Sequence, residues 1–375
     1  MKRGSKKNRL LDYWVGTPLL NLLATFHRRR SPPLSSPQRI GVMCSPALGD
    51  ALLFSAALQD LRAAYPQAHI THLCMKQNLA AAEIIPGANA RVLIDLTNPR
   101  STIPLIRALK LDVLLDFTSW QRLTAFYTLL SGARYTVGFL TPGQYRSRGF
   151  DRTVLHRADL HEVANFRALL EGSGLHPPIP TGHAPTINVA DAPTPFDHEP
   201  DLIALHLWAS GQRSWLREWP EDRWIDIALR LARPETLFLI TGAPSDEPRS
   251  TPFVEKLRAA GLRAEPFVSP DGFLTLTRVL RRCRLVVSVN TGVMHLSAIA
   301  GARTLAINGP NRNGRWGPIG PFALGVEAPG EGCGFLHLGF NFDGNPTDCM
   351  ERTSVDQVYA AAQLLLAQSS PAEVA

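Results

Sequence analysis

The sequence predicts an α/β protein built of two doubly wound, Rossmann-like domains. Three observations carry that prediction. Short β-prone runs alternate with segments of helical periodicity, the order expected of a parallel sheet covered by helices. The alternation stops at a Pro-, Thr- and Asp-rich stretch, residues 176–200, and then starts again. The 375 residues are too many for one ordinary core and suit two domains of average size.

The elements follow in order. Residues 31–38, SPPLSSPQ, have linker composition. RIGVMCS is a strand candidate, and PALGD leads into ALLFSAALQDLRAAY, whose Leu52, Leu53, Ala56, Ala57, Leu61 and Ala64 recur at helical spacing before Pro66. HITHLCM completes a βαβ unit. RVLIDL (91–96), a helix around 101–110, DVLLDF (112–117), a helix around 120–130 and YTVGF (135–139) continue it. After the break come strand DLIALHL, helix DRWIDIALRLA, strand TLFLITG, helices PFVEKLRAAG and LTLTRVLRRC, strand RLVVSV, the turn and helix NTGVMHLSAIAG, and strand RTLAING. A final helix is expected at residues 354–367. The expected division is an N-terminal segment and linker at 1–36, one domain at 37–190, a second at 196–350, and a C-terminal helix and tail at 351–375. In open α/β sheets ligands bind beyond the carboxyl ends of the strands, so two such domains would face a central cleft.

Hydrophobic content of 45% and charged content of 19% describe a globular chain. The net charge of +7 is concentrated. Residues 1–30 hold eight Lys and Arg against one acid, Asp12, and the 31 bases and 31 acids of the remainder cancel. The body therefore offers no general nucleic-acid surface, and no nucleic-acid partner is expected. Between the basic clusters lies LLDYWVGTPLLNLLATF, residues 10–26, interrupted by Gly16 and Pro18. It is shorter than the roughly 20 residues of a spanning helix, and HRRR follows it where a secretory signal has small residues. Residues 1–30 are expected to hold the protein to an anionic membrane surface, apolar groups in the interface and cations on lipid headgroups. A helix packed on the protein's own surface is the alternative. The five cysteines, at 44, 74, 283, 333 and 349, form no CxxC pair, which suggests free thiols in a reducing compartment and no metal site. Spacing alone leaves open whether Cys333 and Cys349 meet.

Three stretches carry candidate chemistry. Strand RLVVSV ends at Val289 and runs into Asn290, Thr291 and Gly292, where a helix starts. A helix start presents unpaired N–H groups and partial positive charge to an anion such as phosphate; Gly292 permits close approach, and His295 can donate to phosphate or a sugar hydroxyl. Simple capping by Asn290 or Thr291 explains the same residues. The following loop, NGPNRNGRWGP, adds Arg312 and Arg315 as cations for the same ligand, or is a mobile surface loop. Gly49-Asp50 sits at the first strand-to-helix junction, where Asp50 is either an N-cap or a general base. GQRSWLREWPEDRW places Arg213 and Arg217 before a helix start at Pro220, suited to clamping a diphosphate or else a solvated loop with inward tryptophans. No GxGxxG, P-loop, GxSxG, HExxH or DxD pattern is present.

Four pieces, in order, resemble glycosyltransferase family 9, the heptosyltransferase family: GDALLFSAALQDLRAAYPQAHI; Arg217-x-Trp219-Pro220 with Trp224; SVNTGVMHLSAIAGARTLAINGP; and Cys333…Cys349-Met350. The resemblance covers roughly residues 39–367. It implies a GT-B fold, with the acceptor on the first domain and the donor on the second. It also implies inverting, metal-independent transfer of heptose, or a related sugar, from a nucleotide diphospho-sugar, with ADP the implied nucleotide. The implied acceptor is lipopolysaccharide core or another surface glycan, the implied place the cytoplasmic face of the inner membrane. No cofactor is implied. Asp50 matches the proposed base, and Thr291, Gly292 and His295 match the donor-binding turn. Arg217 falls where the family usually has Lys, near the donor phosphates. Asp246 lies in TGAPSDE, where the resemblance implies an acidic residue that often contacts the nucleoside. Asn290 stands where the family usually has Asp, which admits a different donor sugar with a non-lipopolysaccharide acceptor, or a catalytically silent nucleotide-sugar-binding protein at the membrane.

Overall fold

A strand buried on both faces needs a continuous run of Val, Ile and Leu, and the central strands of this chain have one. The structure, a computed structural model, describes residues 10, 12–26, 28–33, 36–340, 342 and 344–368. The chain divides into two units, Met1–Ile187 and Asn188–Ala375.

In the first unit, helix α1 (Thr17–Ala24), preceded by a π-turn at Asp12–Gly16, leads to β1 (Arg39–Met43), α2 (Leu48–Ala64), β2 (His69–Cys74), α3 (Leu79–Ile84), β3 (Ala90–Leu93) and α4 (Pro99–Ala108). Then come β4 (Val113–Asp116), α5 (Arg122–Leu130), β5 (Tyr135–Leu140), β6 (Arg152–Leu155) and α6 (Glu162–Glu171). The six strands are parallel, in the order β3-β2-β1-β4-β5-β6.

The second unit repeats the plan with β7 (Asp201–His206), α7 (Glu221–Leu231), β8 (Thr236–Thr241), α8 (Glu247–Ala259), β9 (Arg263–Phe267), α9 (Phe273–Arg282), β10 (Leu285–Val289) and α10 (Gly292–Ile299). It closes with β11 (Thr304–Asn308), α11 (Asn313–Trp316), β12 (Ala323–Glu327), α12 (Cys349–Arg352) and α13 (Val355–Leu366). Its parallel order is β12-β11-β10-β7-β8-β9. Counted from the first strand of each unit, both sheets have the order 3-2-1-4-5-6 of a dinucleotide-binding fold. Each is a Rossmann-like domain, as the sequence predicts.

Strand order reverses between β1 and β4 in the first unit and between β7 and β10 in the second. Those switch points hold the cores: Ile40, Val42, Leu114 and Leu115 in one, Ile203, Leu205, Val287 and Val289 in the other, all fully buried. Each such side chain contributes about 1.5–3 kcal/mol of burial. Of the tryptophans in the Arg217 stretch, Trp219 and Trp224 turn inward, whereas Trp215 is exposed. Trp224 is fully buried and meets Trp219 edge-on at 5.4 Å, while Trp219 Nε1 donates to the Thr353 carbonyl at 2.9 Å.

The N-terminal segment packs on the first unit. Asp12 accepts from the backbone N–H of Arg122 at 3.0 Å and of Leu123 at 2.9 Å, and from Arg122 Nη1 at 3.1 Å. It thus satisfies the orphan donors that begin α5, where Gln121 supplies no side-chain cap. Leu20 is fully buried in the same core as Phe150 and Ala125. Further on, the backbone N–H of Arg30 donates to Asp151 at 2.9 Å. The basic positions 2–9 lie outside the described residues.

Among the cysteines, Cys44, Cys74 and Cys283 are free and buried, but Cys333 and Cys349 form a disulfide. The expectation of free thiols throughout is corrected at that pair. The folds of loop 308–316 and α12 bring together two residues that local spacing leaves unrelated: Gly334 N–H donates to the Gly309 carbonyl and Leu336 N–H to Pro310.

Candidate functional site

In the first unit the register sets Met43 opposite Asp116, so residues 44–50 and the turn after Asp116 leave the sheet side by side at its switch point. α2 begins at Leu48 with Ala47 at its N-cap. Asp50 is therefore not the cap that its position in the sequence suggests. It lies in the first helical turn with Gly49 before it, half-buried, where the helix dipole favours a carboxylate. Burial first, then the Asp50 charge, pushes the Cys44 thiol well up, which keeps that sulfur protonated. Cys44 Sγ lies 3.4 Å from Nε2 of His72, and burial, with Arg91 second, lowers His72 to about 4, so both groups are neutral at pH 7. Asp116 is fully enclosed and accepts from Arg146 Nη2 at 2.6 Å, Thr118 Oγ1 at 2.6 Å and Thr118 N–H at 2.9 Å. Of the two carboxylates at this switch point, Asp116 is neutralised internally and Asp50 is the one with access to solvent.

In the second unit the register sets Ser288 opposite His206. The segments after β7 and β10 therefore also emerge together. Thr291 is the N-cap of α10 and its hydroxyl accepts from Met294 N–H at 3.5 Å, so the capping explanation of Thr291 holds. Gly292 opens the helix, half-exposed, and His295 is buried one turn on. Arg217 ends a 3-10 turn, Ser214–Arg217, that follows a tight bend with Gly211 at φ +103° and Arg213 at φ +48°. Its guanidinium donates to the Ser210 carbonyl and stays half-buried. Leu216, its neighbour, packs on Leu336 and Phe342 inside the loop closed by the disulfide. Asp246 lies at the end of the β8 loop, where its carboxylate accepts from Ala243 N–H at 2.8 Å. Burial lowers His206, at the end of β7, to about 4, and its Nδ1 meets Thr241 Oγ1 at 2.9 Å.

Two candidates are more internal than the sequence suggests. Arg315 is 4% exposed, stacks 4.1 Å from the Trp316 ring centroid and donates to the His337 carbonyl at 3.3 Å; Arg312 in the same loop is exposed. Asn290 is 8% exposed, and its Nδ2 donates both to Asn308 Oδ1 and to the Trp316 carbonyl, each at 2.9 Å. Asn308 Nδ2 donates to Asn313 Oδ1, and Asn313 Nδ2 donates to the Gly325 carbonyl at 2.7 Å. Backbone carbonyls at both ends fix the direction of this amide chain. It ties α10, the end of β11, α11 and β12 together, and so holds the turn that carries Thr291 and Gly292. Sequence reasoning passes over Asn308 and Asn313, which brace the candidate turn; the signal was the density of Asn in NGPNRNGRW.

Thus Gly49 and Asp50 stand at the switch point of one sheet, and Arg217, Asp246, Asn290, Thr291, Gly292, His295 and Arg315 on loops and helix starts beyond the carboxyl ends of the strands in the other. Among the described residues no group of three or more His, Cys, Asp or Glu is arranged to hold a metal ion.

Known proteins similar to this chain include heptosyltransferases. Lipopolysaccharide heptosyltransferase 1 of Escherichia coli O18:K1:H7 (strain RS218 / NMEC) is 32% identical over 115 residues, 30% of this chain. The match spans about a third of that relative's length, 34%. The crystal structure of the glycosyl transferase family 9 protein from Veillonella parvula DSM 2008 superposes with a TM-score of 0.73 at 18% identity, over 90% of this chain and 100% of that one. E. coli heptosyltransferase WaaC with ADP superposes at 0.64 and 19% identity, over 87% and 99%. At these identities the two structures establish the fold. The family model of glycosyltransferase family 9 (heptosyltransferase) matches residues 106–334, a span that takes in the donor-side candidates and leaves Asp50 outside it. That match runs over more than half of the chain, and the chain belongs to glycosyltransferase family 9, the heptosyltransferase family.

Proposed function

We propose that this protein is an inverting, metal-independent glycosyltransferase. It moves a heptose or related sugar from an ADP-linked or similar nucleotide diphospho-sugar to a lipopolysaccharide core or other surface glycan at the cytoplasmic face of the inner membrane. The observation that carries this reading is the family match over the unit in which a glycine-opened helix start and a half-buried arginine stand at one switch point. The second unit holds the donor. Its diphosphate lies over the start of α10, where N–H groups and the helix dipole favour an anion, and Arg217 neutralises charge as a metal would in other transferases. The first unit serves the acceptor. Asp50 takes the proton from the acceptor hydroxyl, whose oxygen forms the new bond to the anomeric carbon from the face opposite the diphosphate. The bond from that carbon to the diphosphate oxygen breaks, and the electron pair leaves with the nucleoside diphosphate, stabilised at the helix start. His295 and Arg315 support this charge from within the unit, and Asp246 faces the nucleoside.

A second reading, with a different donor sugar, is favoured by Asn290. Both protons of its amide go to Asn308 and Trp316, so it does not present the family's usual carboxylate to a sugar. The experiment is a panel of nucleotide sugars offered to purified protein, scored by thermal stabilisation and by nucleoside diphosphate release in the presence and absence of a chelator. Stabilisation with chelator-insensitive turnover supports transfer. Stabilisation without turnover by any donor identifies a silent binding protein, and turnover abolished by the chelator removes the metal-independent mechanism.

A further inference from the structure

The segment at residues 12–26 is amphipathic in the opposite sense from an ordinary surface helix. Its one charged residue, Asp12, faces inward, 5% exposed, with Gly16 and Leu20. Trp14 is 69% exposed, Leu22 60% and Phe26 81%, and Leu10 and Val15 add to them. Leu10 and Trp14 are four residues apart, as are Leu22 and Phe26, so each pair lies together on the outside of the segment, while Asp12, Gly16 and Leu20 turn inward. Seven large apolar side chains exposed within one short stretch, Leu10, Tyr13, Trp14, Val15, Leu19, Leu22 and Phe26, mark a contact surface.

We propose that this face docks on an anionic lipid bilayer, not as a flexible tether but as a fixed platform of the first unit. Charge complementarity selects the occupant. Arg28 and Arg29 are exposed just beyond the face, and the sequence before it carries Lys and Arg at 2, 3, 6, 7 and 9. Cations that flank an uncharged strip suit headgroup phosphates on either side of a helix lying in the interface. Trp14 and Tyr13 are the ring types that settle at that depth. No helix among the described residues is long and apolar enough to cross a membrane, which fits a helix lying in the interface plane. What makes it a platform is the attachment behind it. Asp12 is held by Arg122 and by the start of α5, and Arg30 by Asp151, so insertion of the outer face fixes the orientation in which the first unit meets the lipid. This deepens the membrane element of the proposed function and stands independently of the sugar-transfer chemistry, because its readout is binding.

The test uses the full chain with vesicles of phosphatidylglycerol and phosphatidylethanolamine, against vesicles of phosphatidylcholine alone. Wild type is expected to sediment with the anionic vesicles and to be released by high salt. Brominated acyl chains are expected to quench its tryptophan fluorescence, and Trp14→Phe is expected to lose most of that quenching. Leu22→Ser with Phe26→Ser is expected to weaken partitioning about tenfold or more while circular dichroism and ADP binding stay as in wild type. Asp12→Asn, which loosens the strap and leaves the outer face intact, is expected to keep vesicle binding but to broaden the Trp14 quenching profile over bromine depth. Absence of vesicle binding by wild type overturns the proposal. So do equal quenching in Trp14→Phe, or a dimer in solution that Leu22→Ser with Phe26→Ser dissolves, which would assign the face to a second copy. A depth profile unchanged in Asp12→Asn overturns the platform.

Discussion

Replacement of Asn290 by Asp restores the residue the family usually has at this position, yet the structure predicts damage. The Asn290 amide donates two hydrogen bonds, to Asn308 Oδ1 and to the Trp316 carbonyl, in a site 8% open to solvent. A carboxylate there offers no donor. Two buried acceptors each lose a partner, at about 1–3 kcal/mol apiece, and the new charge faces two oxygens. Asn290→Asp is therefore expected to destabilise the second unit by about 2–6 kcal/mol at pH 7. The introduced carboxyl will hold its proton to higher pH when folded than when unfolded. The folded state then binds more protons, so the deficit is smallest in acid and grows as pH rises through and above the ordinary carboxylate range. Urea denaturation across pH 4–8 reads the stability, and calorimetric titration with ADP reads the turn that Thr291 and Gly292 form. Asn308→Asp removes the next donor in the chain, and the double variant should show a coupling of about 0.5–3 kcal/mol. Wild-type stability in Asn290→Asp with tighter binding of ADP-heptose would refute the brace and make position 290 a reader of the sugar.

Four further outcomes are expected. Asp12→Ala strands the Arg122 guanidinium, 3% exposed, and should cost about 3–5 kcal/mol in urea denaturation of the first unit. His72 and His206 are each lowered to about 4 by burial, so each folded imidazole stays neutral where its unfolded counterpart, near 6.5, takes a proton. Stability should fall as pH drops below 6.5 and level off near 4, by about 3 kcal/mol per histidine, and His72→Gln should flatten that slope in the first unit only. The Cys333–Cys349 bridge closes a loop of sequence separation 16, so Cys349→Ser should destabilise the second unit by about 3 kcal/mol and weaken ADP binding through Leu216 and Arg217, while Cys283→Ser leaves ADP binding unchanged. Thiol titration of unfolded, unreduced protein should count three thiols, Cys44, Cys74 and Cys283.

The central strands were legible because each is a run of apolar residues shielded on both faces. The edges were harder. RTVL, RAEPF and ALGVE form β6, β9 and β12, each at the rim of a sheet and partly exposed, so none has the continuous apolar run that marks β10. The start of α10 and the loop before α7 could be placed on the carboxyl side of their strands from sequence, since strand-to-helix order alone determines that end. Asp50 was misleading as a cap because Pro46 and Gly49 read as a turn leading into it, and the helix nevertheless begins two residues earlier. What sequence could not supply is pairing across distance. Asp12 meets a helix start 110 residues away, and the polarity of the Asn290–Asn308–Asn313 chain is dictated by the carbonyls of Trp316 and Gly325, which only the folded sheet brings into place.

The most direct test of the central claim is single-turnover release of nucleoside diphosphate by Asp50→Asn, with the donor and acceptor that support wild-type turnover and with ADP affinity measured on the same preparation. The role of Asp50 as general base predicts a rate lowered about 10²–10⁴-fold, with ADP affinity unchanged because the proposed donor site lies in the other unit. A rate close to wild type would contradict it and leave Asp50 as a carboxylate that only favours the start of α2.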